Sequence, residues 1–220
     1  MNSAAFTNSP SPVSFEDWGQ TDYTEALQRQ EKRLQERIAN QRGDSVFFTE
    51  HAPVYTIGVR PGAAQHLTAP KEYLQQEGIQ VVKTNRGGDI TYHGPGQVVG
   101  YPIISLADTK DLHEYLRKIE EVLIRTVGYL GLAASRREGK TGIWMGERKI
   151  AAIGIAVRKW VTFHGFALNL NPRLDHFRGI VPCGITDGEV SSIERELGFT
   201  PPRREILDLL EHVFAEVFYP

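Results

Sequence analysis

Apolar residues recur at helical spacing in a few stretches and at strand spacing through much of the rest. Residues 22–41 bring Tyr23, Ala26, Leu27, Leu34 and Ile38 onto one side, with charges opposite, which predicts a helix. "SVFFTE" and "VYTIGVR" read as strands, split by a turn around His51, Ala52 and Pro53. Residues 70–77 form a short helix closed by Gly78, and "IQVVKT" is the next strand. "QVVGYPIIS" is another. Residues 111–130 give the strongest helical pattern, with Leu112, Leu116, Ile119, Val122, Leu123, Ile124, Val127 and Leu130. "GIWM", "RKIAAIGIAVRKW" and "VTFHGFALNLN" follow as strands joined by tight turns, and residues 203–217 close the chain as a helix after Pro201 and Pro202. Helices and strands alternate unevenly. The expected class is therefore α+β, a mixed β-sheet core flanked by helices, and not a strict βαβ repeat.

One segment breaks these periods. "RGGDITYHGPGQ", Arg86 to Gln97, packs four glycines and a proline into twelve positions. No apolar run crosses it, so neither a core strand nor a helix is expected there. Its glycines are not spaced G-x-G-x-x-G and no Gly-Lys-Ser/Thr closes it, so it is neither a dinucleotide loop nor a P-loop. Glycine lets backbone approach a ligand closely, Arg86 carries fixed donors, and His93 both donates and accepts near neutral pH. The segment reads as a binding loop of unspecified ligand, beside the plainer reading of a solvent loop.

The 220 residues suit one domain, expected over residues 16–220 after a loose Ser/Asn/Pro-containing lead-in over 1–15. Hydrophobic residues make up 40% and the formal net charge is −2, so no nucleic-acid-binding face is expected. No apolar run reaches transmembrane length, and the N-terminus lacks the basic and apolar regions of a secretory signal. Hence no membrane partner is expected, and the expected location is cytoplasmic. A single cysteine, Cys183, forbids an internal disulfide. His164, His176 and Cys183 are too irregularly spaced for a zinc site, so no metal is expected.

A lone cysteine is most often a small buried hydrophobe. Cys183 stands instead between proline and glycine in "GIVPCGITDG", a turn-forming context that favours exposure to a cleft. A nucleophilic thiolate needs a nearby cation or base. The candidates are Lys149, at the start of the apolar strand "RKIAAIGIAV", and His93, His164 and His176. The residues alone leave the choice open.

Four segments taken together carry a resemblance. "RGGDITYHGPGQVVGYP", "GERKIAAIG", "FHGFALNLN" and "VPCGI" occur in that order across roughly residues 45 to 190. They closely resemble the signature of lipoyl(octanoyl) transferases, which share the fold of biotin and lipoate protein ligases. The resemblance implies transfer of an octanoyl or lipoyl group from acyl carrier protein to the target lysine of lipoyl domains, the first committed step of protein lipoylation. The acceptors implied are the lipoyl domains of 2-oxoacid dehydrogenases and the glycine cleavage H protein. It makes Cys183 the acyl-carrying nucleophile and Lys149 its proton-shuttling partner. It makes Arg86, Gly87, Gly88, Asp89, Ile90, Thr91, Tyr92 and His93 part of the acyl-site wall. Ala152, Ile153, Gly154, Gly165, Phe166 and Ala167 complete that wall. The thioester donor is already activated, so no cofactor is implied. Arg60, Lys71, Lys83, Arg136, Arg137, Arg158 and Lys159 are candidates for a basic rim facing an acidic carrier. Two other readings stand beside this one: an ATP-dependent lipoate or biotin protein ligase, and a non-catalytic acyl-binding module.

Overall fold

Two β-sheets carry the fold, described over residues 13–181 and 189–220 of a computed structural model. The strands in chain order are β1 (Val13–Thr21), β2 (Asp44–His51), β3 (Val54–Ile57), β4 (Gln80–Lys83), β5 (Ile90–His93), β6 (Gln97–Ile103), β7 (Ser135–Arg137), β8 (Lys140–Met145), β9 (Arg148–Arg158), β10 (Val161–Asn169) and β11 (Glu189–Val190). The helices are α1 (Tyr23–Ile38), α2 (Lys71–Gln76), α3 (Leu112–Tyr129), α4 (Ile193–Leu197) and α5 (Arg203–Phe218). The large sheet runs β1-β2-β6-β10-β9-β8-β7, with β11 added to β9; the small one runs β4-β3-β5. Parallel pairs (β1/β2, β3/β4 and β11/β9) and antiparallel pairs occur in both sheets, so the expected mixed α+β architecture is what forms.

The central strands are buried on both faces, which is why they read as apolar runs and not as alternations. All nine residues of β10 are buried. Neighbours along a strand still part to opposite sides, as strand geometry requires. Phe48, Val98 and Phe166 join the cluster under α3 and α5, whereas Phe47, Val99 and Ala167 join the one under α1. Asp22 caps α1 by accepting from Thr24 N (2.8 Å), and Asp111 caps α3 by accepting from Glu114 N (2.9 Å).

Two expectations need correction. The lead-in expected over 1–15 overlaps β1: Val13 is 2% exposed, and the Phe15 ring stacks on Phe48 at 6.3 Å. This is an edge strand with polar residues on its outer face, so its sequence shows only a broken alternation. The glycine-rich segment also contains a strand. Ile90 and Tyr92 of β5 pack into the small sheet's own core with Tyr55, Ile57 and Ile180. Four residues between glycines are too few to show a period.

Candidate active site

Strands β9 and β10 lie side by side, and their register sets out one wall of a cavity. Ala152 faces Ala167, Ile153 faces Phe166, and Gly154 faces Gly165 across the ladder. The two short segments flagged in the sequence are thus cross-strand partners, pair by pair. At Gly165 the neighbouring strand β6 comes so close that a Cβ would run into the Gly100 carbonyl oxygen and lie 2.7 Å from Pro102 Cδ. Only glycine fits there.

The loop before β5 closes over this wall. Gly87 N–H donates to Ile155 O at 2.8 Å, docking the loop on β9. Between them lies a cavity of about 460 Å³, within the range of small-molecule sites. Its walls are apolar along Val99, Leu112, Leu116, Ala151, Ile153 and Phe166, and polar where Tyr23, Arg86, His93, Tyr101 and His164 meet it. Lys149 lines the same cavity, as do Arg86 through Thr91, His93, Ala152 through Gly154 and Gly165 through Ala167.

Tyr92 does not line it. Its ring lies in the small sheet's core, where its hydroxyl meets His176 Nδ1 at 2.7 Å and the ring packs on Tyr55 and Phe177. His176 is likewise outside the cavity lining, held by Tyr92 and by Glu77 at 3.3 Å. The donors expected of Arg86 are largely committed: Nε meets Thr56 Oγ1 (3.1 Å), Nη2 meets Thr56 O (2.6 Å), and Nη1 meets Gly87 O (3.1 Å). Arg86 is a buried strut tying the loop to β3. Of the basic rim, only Arg60 reaches the cavity. Arg136 is paired with Glu120 and Glu121 (3.1 and 2.8 Å), and Arg158 with Glu31 (2.7 Å).

Lys149 reaches the cavity past Gly142, whose backbone adopts φ +119°. A Cβ there would lie 2.7 Å from Lys149 Cε, so a side chain at this position would displace the lysine stem. Lys149 Nζ stands 5.2 Å from the centroid of the Trp144 ring, a cation–π contact. Burial above all, with the charges of Lys140 and Arg86, pushes its pKa down to about 8, while Glu120 pulls the other way. The amine's titration is thereby brought toward neutrality, where a group can both donate and accept protons.

Cys183 lies outside the described residues. The chain on either side of it is placed. Val181 N–H donates to His66 O (2.8 Å), and His66 Nδ1 meets the buried Asp89 carboxylate at 2.7 Å. On the far side Val190 is the register partner of Lys149, and Ser191 N–H donates to Lys149 O at 2.9 Å.

Several contributors escaped the sequence reading. Asn169 Nδ2 donates to Ser191 O (2.9 Å), and Gln97 Nε2 donates to Asn169 Oδ1 (2.8 Å). Gln97 Oε1 in turn meets His93 Nδ1 (3.2 Å), so a buried polar chain runs from the glycine-rich loop to the strand beside Lys149. A polar residue closing an otherwise buried strand, as in "FALNLN", was the available signal. His164 is 1% exposed and adopts φ +55° on β10. Its Nε2 meets Asn85 Oδ1 at 2.7 Å, its Nδ1 has no partner among the described residues, and burial pushes its pKa down to about 3.

Residues 22–215 match the family model of the lipoyl protein ligase A/B catalytic domain. Among curated relatives, an octanoyltransferase of Caldicellulosiruptor bescii is 46% identical over 203 residues, covering 91% of this chain and 89% of its own. An octanoyltransferase of Desulforamulus reducens is 43% identical, covering 91% and 88%. Among solved structures, the bipartite lipoate protein ligase of Thermoplasma acidophilum superposes with a TM-score of 0.73 at 20% identity, covering 94% of this chain and 84% of that one. A lipoate-protein ligase A bound with ATP gives 0.74 at 19%, covering 95% and 85%; at such identities the likeness is one of fold. By sequence and by fold, the chain belongs to the lipoyl protein ligase A/B catalytic domain family.

Proposed function

We propose that this chain is an octanoyltransferase that carries its acyl group on Cys183. In the first half-reaction the Cys183 thiolate attacks the thioester carbonyl of octanoyl-acyl carrier protein. The carrier's thiolate leaves and takes up a proton, and the octanoyl group stays on the enzyme as a new thioester. In the second, the ε-amine of a lipoyl-domain lysine attacks that thioester and loses a proton to Lys149, and Cys183 leaves as thiolate. Splitting the transfer in this way gives ping-pong kinetics.

One observation carries the reading above the others: an amine with pKa near 8 opens onto a slot with an apolar wall. Charged, Lys149 favours the thiolate over the thiol; neutral, it accepts the proton of the incoming lysine. Connectivity supports the pairing. Cys183 follows Val181 by two residues, a covalent reach of at most about 7 Å. The chain after it returns to pair with Lys149 itself through Val190. The slot suits an alkyl chain: burying seven apolar carbons at about 0.8 kcal/mol each gives about 5–6 kcal/mol of gross affinity. The polypeptide acceptors are lipoyl domains, those of 2-oxoacid dehydrogenases and the glycine cleavage H protein. The donor thioester supplies the activation, so no ATP enters.

Mass spectrometry after incubation with octanoyl-acyl carrier protein tests this. The expected product is one octanoyl group on Cys183, formed without ATP, and Cys183→Ser should abolish transfer. Adenylate formation from octanoate and ATP, with no adduct on Cys183, would instead establish a ligase. Lys149→Ala should slow alkylation of Cys183 at neutral pH, and an unchanged rate would refute the pairing.

A further inference from the structure

Glu120 is a glutamate where a helix of this kind should bury a hydrophobe. It sits on the inner face of α3 between Ile119 and Glu121 and is 2% exposed. Its carboxylate is fully engaged. Oε2 accepts from Arg117 Nη1 (2.7 Å) and Arg136 Nε (3.1 Å), and Oε1 accepts from Gly142 N–H (3.3 Å). A buried carboxylate is expensive, and a well-packed apolar residue would serve stability equally well or better. The last contact is the informative one, because Gly142 is also the residue whose missing Cβ makes room for the Lys149 stem.

The geometry points to Glu120 as a positioning residue: it holds Gly142 beside the Lys149 stem and places a negative charge behind the ammonium. Gly142 stands between the two groups, its N–H on the carboxylate side and its Cα against the lysine. This inference rests on the proposed role of Lys149 and extends it to α3. The other groups around Lys149 do not supply that charge. On β8 Lys140 is a cation and Trp144 offers only its ring face. Arg86, before β5, is a buried cation. On β11 Glu189 is paired with Arg195 at 3.0 Å, and next to Lys149 Arg148 is paired with Glu196 at 2.7 Å. Asn169 on β10 is neutral. Asp89, which also lines the cavity, is engaged by His66 at 2.7 Å. Among the described residues Glu120 is therefore the acidic group acting on Lys149 against the charges of Lys140 and Arg86, and Arg117 and Arg136 set how much of its field reaches Lys149.

Direct titration of Lys149 by NMR tests this, using ¹³C,¹⁵N-lysine protein with the resonance assigned by its loss in Lys149→Arg. Glu120→Gln keeps an acceptor for Gly142 N–H and removes the charge, together with the oxygen that accepts from Arg117 and Arg136. It should lower the Lys149 midpoint by roughly half a pH unit or more. Arg136→Gln, which removes a shielding cation, should raise it. Opposite shifts separate an electrostatic role from loosened packing, which would move both variants the same way. The pH at which transfer rises should follow the midpoint in each variant. An unmoved midpoint in Glu120→Gln, or shifts of the same sign in both variants, would overturn the inference. If the Arg136 variant alone is soluble, an unmoved midpoint there overturns it equally. Full-rate transfer by Lys149→Ala would sink the proposed reaction and leave the Glu120 result standing.

Discussion

Replacing Lys149 with methionine should abolish transfer while making the folded chain more stable. The lysine is charged at neutral pH in a place that penalises charge. The gap between about 8 and the ordinary 10.5 corresponds to about 3 kcal/mol at about 1.36 kcal/mol per pH unit. Methionine keeps a flexible apolar stem against Trp144 but gives up the cation–π contact, about 0.5–1 kcal/mol. The net expectation is a gain of about 2 kcal/mol, or a Tm about 4–8 °C higher for a chain of this size. The pH dependence identifies the cause. Below pH 8 the amine is protonated in the folded and unfolded chains alike, so the wild type bears the whole penalty. Between about 8 and 10.5 the unfolded chain binds the extra proton, so wild-type stability rises with pH. The advantage of the variant should thus be full at pH 7 and nearly gone at pH 10.5. Urea unfolding of both proteins across that range, followed by circular dichroism, measures it. An advantage that is absent at pH 7, or of equal size at pH 7 and 10.5, would refute the electrostatic account of Lys149.

Two further outcomes follow from buried groups. Burial pushes His51 down to about 4, His164 to about 3 and His93 well below the ordinary 6.5, so stability is lost as pH falls through 6.5 and the unfolded chain takes up protons. Unfolding at pH 5 should bind about three protons through these rings, measurable by calorimetry in buffers of different ionisation heat; fewer than two would contradict the burial of these rings. Gly165→Ala must push β10 off the Gly100 carbonyl, so a loss of about 3 kcal/mol or more is expected, read as a lower urea midpoint. An unchanged midpoint would show that β6 and β10 are less closely apposed than described.

The sequence disclosed those parts of the fold whose periods run long enough to count. Strand β10 and helix α3 were evident because each carries many apolar residues in one register. Strand β5 is hidden because four residues between glycines show no period, and the resemblance, which takes Arg86 through His93 as one stretch, does not separate Tyr92 from its cavity-lining neighbours. Strand β1 was missed because an edge strand tolerates polar residues. Lys149 is distinguished only by the family resemblance of its neighbours, since a lysine at a strand start ordinarily faces solvent. The period of α3 places position 120 inward, between Leu116 and Leu123, but says nothing of what its carboxylate would hold. Likewise, no local rule joins Gln97 to a residue 72 positions away.

The slot's wall consists of consecutive rungs of one ladder, from Ala152–Ala167 to Gly154–Gly165. The spacing within that wall is therefore fixed by strand pairing, about 4.8 Å, while the loop docked through Gly87 closes the slot over it. Prising one rung apart would strain the rungs above and below it, so a guest too bulky for the slot meets stiff resistance instead of gradual accommodation. The wall works as a gauge, and new guests would be admitted by trading small side chains along it while the ladder itself stays closed.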